Sequence, residues 1–266
     1  MDRRLALPLV LLASCSVALA QRAEQEDKAP TPAELQAITA RGKMLAEYDV
    51  AAWHATDVVQ DLKPEAGSTR YYIAKKGESG WIVVFGRLND AHDKFLTVYE
   101  AKQGTRSEFF TGRKYDPPNE SSDFYLFAAR AFDAALKDLG TVNRPYNAYA
   151  IPSEAGQLYV YLLPASDKNG IYLLGADARY TFSADGKVLV EKRQMHKTIL
   201  EFDFNEKSSG LKKVEAGMHT HVLSNIPEDS DVFYLLTRKP SIPEYVETLD
   251  RKIYVIQTDG TILLEK

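Results

Sequence analysis

The sequence predicts an α+β protein: an N-terminal helix, an antiparallel meander and a second helix, followed by a strand-rich antiparallel C-terminal half. Three observations carry that reading. Apolar residues recur at helical spacing in two early segments, after Thr31 and after Ser122. Elsewhere, short runs rich in Tyr, Val, Ile and Phe are separated by turn residues, the pattern of half-buried strands. Two Asp-Gly pairs, Asp185-Gly186 and Asp259-Gly260, lie between such runs, where this dipeptide favours a two-residue hairpin turn.

Ahead of these elements stands a targeting segment. Arg3 and Arg4 precede an apolar run from Leu5 to Val17, and Ala18-Leu19-Ala20 supplies small residues for cleavage, so residues 1–20 read as a secretory signal peptide. Residues 21–30 are charged, lack large apolar side chains and read as a flexible leader. Leu12-Ala13-Ser14-Cys15 also fits lipoprotein processing, which would leave Cys15 as a lipidated N-terminus. Either route delivers the protein outside the cytosol: periplasmic, secreted, or anchored to the membrane by lipid. The apolar run falls short of the ~20 residues a membrane helix needs, and later apolar runs have strand length, so no transmembrane span is expected in the mature chain.

Cys15 is the single cysteine. Cleavage after Ala20 leaves none, which removes disulfides, thiol nucleophiles and cysteine zinc sites from consideration. The formal charge of the whole chain is −4, and loss of Asp2, Arg3 and Arg4 with the signal makes it −5. No basic patch suggests nucleic acid.

The first half, residues 31–140, opens on Thr31-Pro32-Ala33-Glu34, a capping box with proline in the first turn. Leu35, Ile38, Leu45, Ala52 and Val59 mark one face of this helix, with an interruption near Gly42, Trp53 packed beneath it, and an end before Pro64. Strands are expected over 70–74, 80–87 and 94–101. Ser121 or Ser122 opens the second helix, and Gly140 stops it. The second half, residues 141–266, reads as strands without a helix. The 140–145 connection is too short for a free linker, so the halves are expected to pack as one unit.

Familiar catalytic signatures are absent: no G-x-S-x-G elbow, phosphate loop, H-E-x-x-H or dinucleotide fingerprint occurs. Ser209-Gly-Leu-Lys212 matches S-x-x-K by letter but falls in a Ser-Gly loop. One constellation carries chemistry. In a strand, residues i and i+2 share a face, so His219 and His221 offer two imidazoles to one side. Pairing 196–204 with 218–222 as a hairpin, with apolar faces matched, sets Asp203 beside His219 and Glu201 beside His221. Two histidines and two carboxylates suit a divalent transition metal, and a site with an open position activates water. The same arrangement also serves as an ordinary solvated pair. His196 has the wrong parity for this set. Pro227-Glu-Asp-Ser-Asp231 reads as a polar turn entering a strand over 232–236. The 15 Tyr and 11 Phe read as core and sheet residues.

The expected function is therefore that of an exported, non-catalytic periplasmic or envelope protein without a required cofactor. It would bind an envelope protein or small ligand through its strand-rich half. Two alternatives stand beside it: a metal-dependent hydrolase using His219, His221, Asp203 and Glu201, and a lipid-anchored assembly component dependent on Cys15.

Overall fold

Thr31 caps the first helix as its sequence dictates. The Glu34 amide donates to the Thr31 hydroxyl at 3.2 Å, and the Thr31 amide donates back to the Glu34 carboxylate at 2.7 Å. In this computed structural model, which describes residues 29–204 and 214–265, the helix α1 (Pro32–Asp61) runs unbroken for 30 residues. The signal segment, Cys15, most of the leader and Ser209–Lys212 lie outside the described residues.

Gly42 does not interrupt α1. A Cβ there would run into Val232 and the backbone oxygen of Asp229, so glycine lets another helix lie directly against this one. Ile38, Leu45, Ala52 and Val59 are buried as the spacing requires. Trp53 is 63% exposed. It lies one residue beyond Ala52, about 100° around the helix from the buried stripe, and its ring meets His54 rather than the core.

The meander is β1 (Tyr71–Gly77), β2 (Gly80–Leu88) and β3 (Phe95–Gln103), antiparallel in that order. A fourth strand that the sequence did not announce, β4 (Phe110–Ser121), completes this sheet. It carries Pro117 and Pro118 at the sheet edge, where the register shifts and a missing N–H breaks no ladder. Helix α2 (Phe124–Leu139) starts after Asp123 and stops at Gly140, whose φ of 75° suits glycine.

In the second half, β5 (Tyr146–Pro152), β6 (Leu158–Pro164), β8 (Ala178–Phe182) and β9 (Leu189–Gln194) form one antiparallel sheet. β7 (Ile171–Gly175) leaves that sheet to pair with β10 (Ile199–Asp203). The last sheet has the order β11 (Gly217–Thr220), β12 (Glu244–Glu247), β13 (Ile253–Ile256), β14 (Ile262–Leu264). Strand pairs β8–β9 and β13–β14 turn at the two Asp-Gly sites.

Two expectations fail here, for one reason. The segment over 232–236 is not a strand but part of a helix, α3 (Asp229–Thr237), and β11 pairs with β12 in parallel. Parallel neighbours need a crossover, and α3 supplies it. The hairpin between 196–204 and 218–222 therefore does not form: β10 pairs with β7, and β11 pairs with β12.

Among the described residues, three apolar cores hold these layers. One joins α1 and the meander to Tyr149, Tyr161 and Met195 of the second half. Another buries α2 against both four-stranded antiparallel sheets. The smallest, with Ile38, Val232, Leu235, Val246 and Tyr254, clamps α3 between α1 and the C-terminal sheet. No described helix is long and apolar enough to cross a membrane.

Candidate metal centre

The crossover decides which residues meet. Strand β11 sends His219 inward, and His221 follows just past the strand's end, its amide bonded to the Glu247 carbonyl. The chain then turns directly into α3, whose first turn stands over that strand end. Asp231 is the third residue of α3, and its Oδ2 accepts the Glu228 amide at 2.7 Å in a reciprocal capping box. The third histidine arrives from the other side. β9 ends at Gln194, and the short connection to β10 carries His196 inward.

His196, His219, His221 and Asp231 each offer one ligand atom, all within 4.8 Å of one another. The Nε2 of His196 lies 2.9 Å from that of His221, which lies 3.2 Å from that of His219. Asp231 Oδ1 is 3.0 Å from His196 Nε2 and 3.1 Å from His219 Nε2, while Oδ2 is 3.1 Å from His221 Nε2. A tetrahedral zinc site with ligands at 2.0–2.1 Å has donor separations of about 3.3 Å. The three imidazole rings are inclined to one another by 62°, 84° and 38°, as rings splayed around a common point are. The four side chains are 9%, 1%, 0% and 0% exposed, in the order named above.

Each of the three clustered histidines has its other nitrogen committed. His196 Nδ1 meets Asp177 Oδ1 at 2.8 Å, His219 Nδ1 meets Glu244 Oε1 at 2.8 Å, and His221 Nδ1 meets the Ile226 carbonyl at 3.1 Å. Those three acceptors place the N–H on Nδ1 and leave Nε2 as a lone pair. Neutral imidazoles then present three lone pairs, with a carboxylate, to one small volume, and no donor among them. Such a set requires added positive charge.

The supporting carboxylates are themselves held. Glu244 Oε2 accepts from the buried guanidinium of Arg238 at 2.5 Å, and Gly217 gives that pair room, since a Cβ there would strike Glu244. Asp231, Asp177 and Glu244 bring three negative charges and Arg238 one positive, which leaves two for a divalent cation to neutralise. The electrostatics agree in sign. Burial alone would lower the His219 pKa, but Asp231 and Glu244 outweigh it and raise it to about 9. His196 is likewise raised against its own burial, by Asp177 and Asp231. Asp231, which burial alone would push up, is held well below the carboxylate range by the three histidines.

The four residues singled out from sequence separate into two pairs. His219 and His221 share the cluster. Asp203 and Glu201 do not join it: they sit on β10, exposed, opposite Ile171 and Leu173 of β7. The assumed hairpin register put them beside β11; the real pairing takes them to another sheet. His196, set aside on parity, enters because parity ends with β9 and it lies in the connection beyond. Asp231 was hidden by reading 232–236 as a strand. A signal for it existed: Pro227 and three acids ahead of an apolar run also mark a helix start.

Comparison of the chain with protein-family models, with curated proteins and with solved structures gave no match.

Proposed function

We propose that this chain is an exported envelope protein that binds one divalent transition metal ion through His196, His219, His221 and Asp231, as a structural rather than a catalytic centre. The carrying observation is the convergence of three Nε2 atoms and one carboxylate while each Nδ1 is engaged elsewhere. Three imidazoles and one oxygen in near-tetrahedral array favour zinc.

A hydrolytic centre keeps a coordination position for water. Here four protein donors supply a full tetrahedral set, and their side chains are almost wholly sealed from solvent. That favours a staple over a reaction centre. The ion would tie β9's exit, β11 and α3 together, joining the middle sheet to the C-terminal one. The signal-like first twenty residues support export, and a chain trimmed after Ala20 would have no disulfide to serve that purpose.

Elemental analysis of the purified protein tests this. One equivalent of zinc per chain is expected, with its loss in the His219→Ala plus His221→Ala double variant. Wild-type protein that retains no zinc after exchange into zinc and dialysis overturns the proposal. Hydrolysis of a generic ester or phosphoester by wild type, abolished in the double variant, would instead favour a catalytic centre.

A further inference from the structure

A second candidate site lies on the other side of α3, where Phe233 and Tyr234 face a cavity of about 300 Å³. Asp49 of α1 and Tyr149 of β5 line it, with Tyr172 of β7 closing another wall. The Tyr149 hydroxyl donates to Asp49 Oδ1 at 2.8 Å. Among the described residues that is the hydrogen bond Asp49 receives, and no lysine or arginine forms an ion pair with it. Lys168 lines the same cavity but is exposed at its rim and makes no ion pair with Asp49. Burial accordingly pushes the Asp49 pKa up, only partly offset by Tyr149.

This is an unusual place to leave a carboxylate. Every fully buried acid around α3 has a cation or a set of imidazoles: Glu228 has Arg193, Asp229 has Arg41 and Arg179, Asp231 has three histidines. Asp49 instead has aromatic walls. The Tyr149 and Phe233 rings meet edge to face at 5.6 Å, which fixes both. A partly desolvated carboxylate set among aromatic faces is the environment that attracts an organic cation, by ion pairing at one end and cation–π contact at the other. The volume sits at the small end of the range for small-molecule sites.

We propose that this cavity binds a small organic ammonium ion, with Asp49 as counter-ion and Tyr149, Tyr172 and Phe233 as the cage. The site is independent of the metal centre, and zinc content does not decide it.

The test uses zinc-loaded full-length mature protein and isothermal titration calorimetry with four probes: choline, ethanolamine, glucose, and 3,3-dimethyl-1-butanol, the uncharged isostere of choline. At least one of the two cations is expected to bind saturably at one site, with the neutral isostere weaker by roughly tenfold or more. Asp49→Asn keeps the shape and can still accept from Tyr149; it should weaken the cation by roughly tenfold or more. Phe233→Leu should weaken it while leaving zinc content intact. Circular dichroism and zinc content establish that each variant is folded. Failure of both cations to bind, equal binding of the isostere, or binding unaffected by Asp49→Asn overturns the proposal. Glucose binding in place of either cation would assign the cavity to sugars and overturn it too.

Discussion

Asp229 and Asp231 stand two residues apart in the first turn of α3, both sealed from solvent, and they are neutralised in opposite ways. Asp229 is closed by permanent cations: Arg41 reaches it at 2.8 Å, Arg179 at 2.7 Å, and the Tyr161 hydroxyl at 2.8 Å. Asp231 faces three imidazoles, whose charge is conditional. One cluster is complete with protein atoms alone. The other is complete only when protons or a metal ion supply the missing charge. Two buried acids of equal depth thus divide into a fixed brace and a centre that answers to its surroundings.

The largest expected effect breaks the fixed brace. Asp229→Asn leaves two guanidinium groups in a mostly desolvated place without their counter-charge, and urea unfolding should show a loss of about 3–5 kcal/mol. That loss should be the same with zinc or with chelator. Asp231→Asn should behave in the opposite manner. Wild type in zinc at about a thousandfold excess over its dissociation constant gains about 4 kcal/mol from the ion, and this zinc-dependent part should collapse in the variant. If chelator no longer changes the stability of Asp229→Asn, while Asp231→Asn still gains fully from zinc, the two clusters have been assigned the wrong way round.

pH sharpens the contrast. In the metal-free protein the His219 pKa is about 9, above its unfolded value near 6.5, so the folded state holds a proton more tightly than the unfolded chain. That contribution is fully present below pH ~6.5 and is lost as pH rises through about 9. Metal-free protein should therefore lose stability over this interval, by thermal unfolding at constant ionic strength. Zinc-loaded protein should not, because the ion replaces the protons; its affinity for zinc should instead fall as pH is lowered. The Asp229 brace, built on arginine, should be indifferent across the same range.

A smaller effect is expected one shell out. Asp177→Asn retains an acceptor for the His196 amide and ring but no charge, and should weaken zinc binding by roughly 10–100-fold in a competition titration with a chromophoric chelator. A change below twofold would deny Asp177 a part in orienting His196.

How much of this could be read in the chain depends on the range of each interaction. The helix beginning at Thr31 was legible because capping and heptad-like spacing are local. His219 and His221 were legible as a same-face pair because strand alternation is local too. Their partners were not, because sheet pairing is a long-range choice. Matching apolar faces selected a hairpin between nearby segments, whereas β11 pairs with β12 beyond a helix. The run over 232–236 is too short for periodicity to separate strand from helix. β4 was hidden by two prolines that an edge strand tolerates. The carboxylate pair, Asp203 and Glu201, followed the wrong hairpin to the wrong sheet.

The central claim concerns the atoms around one ion, and X-ray absorption at the zinc edge of zinc-loaded protein measures them directly. Four light ligands at about 2.0–2.1 Å are expected, with imidazole outer-shell scattering and no sulfur. A protein that holds no zinc in that sample, or an ion with six oxygen neighbours and no imidazole, would contradict the assignment of His196, His219, His221 and Asp231.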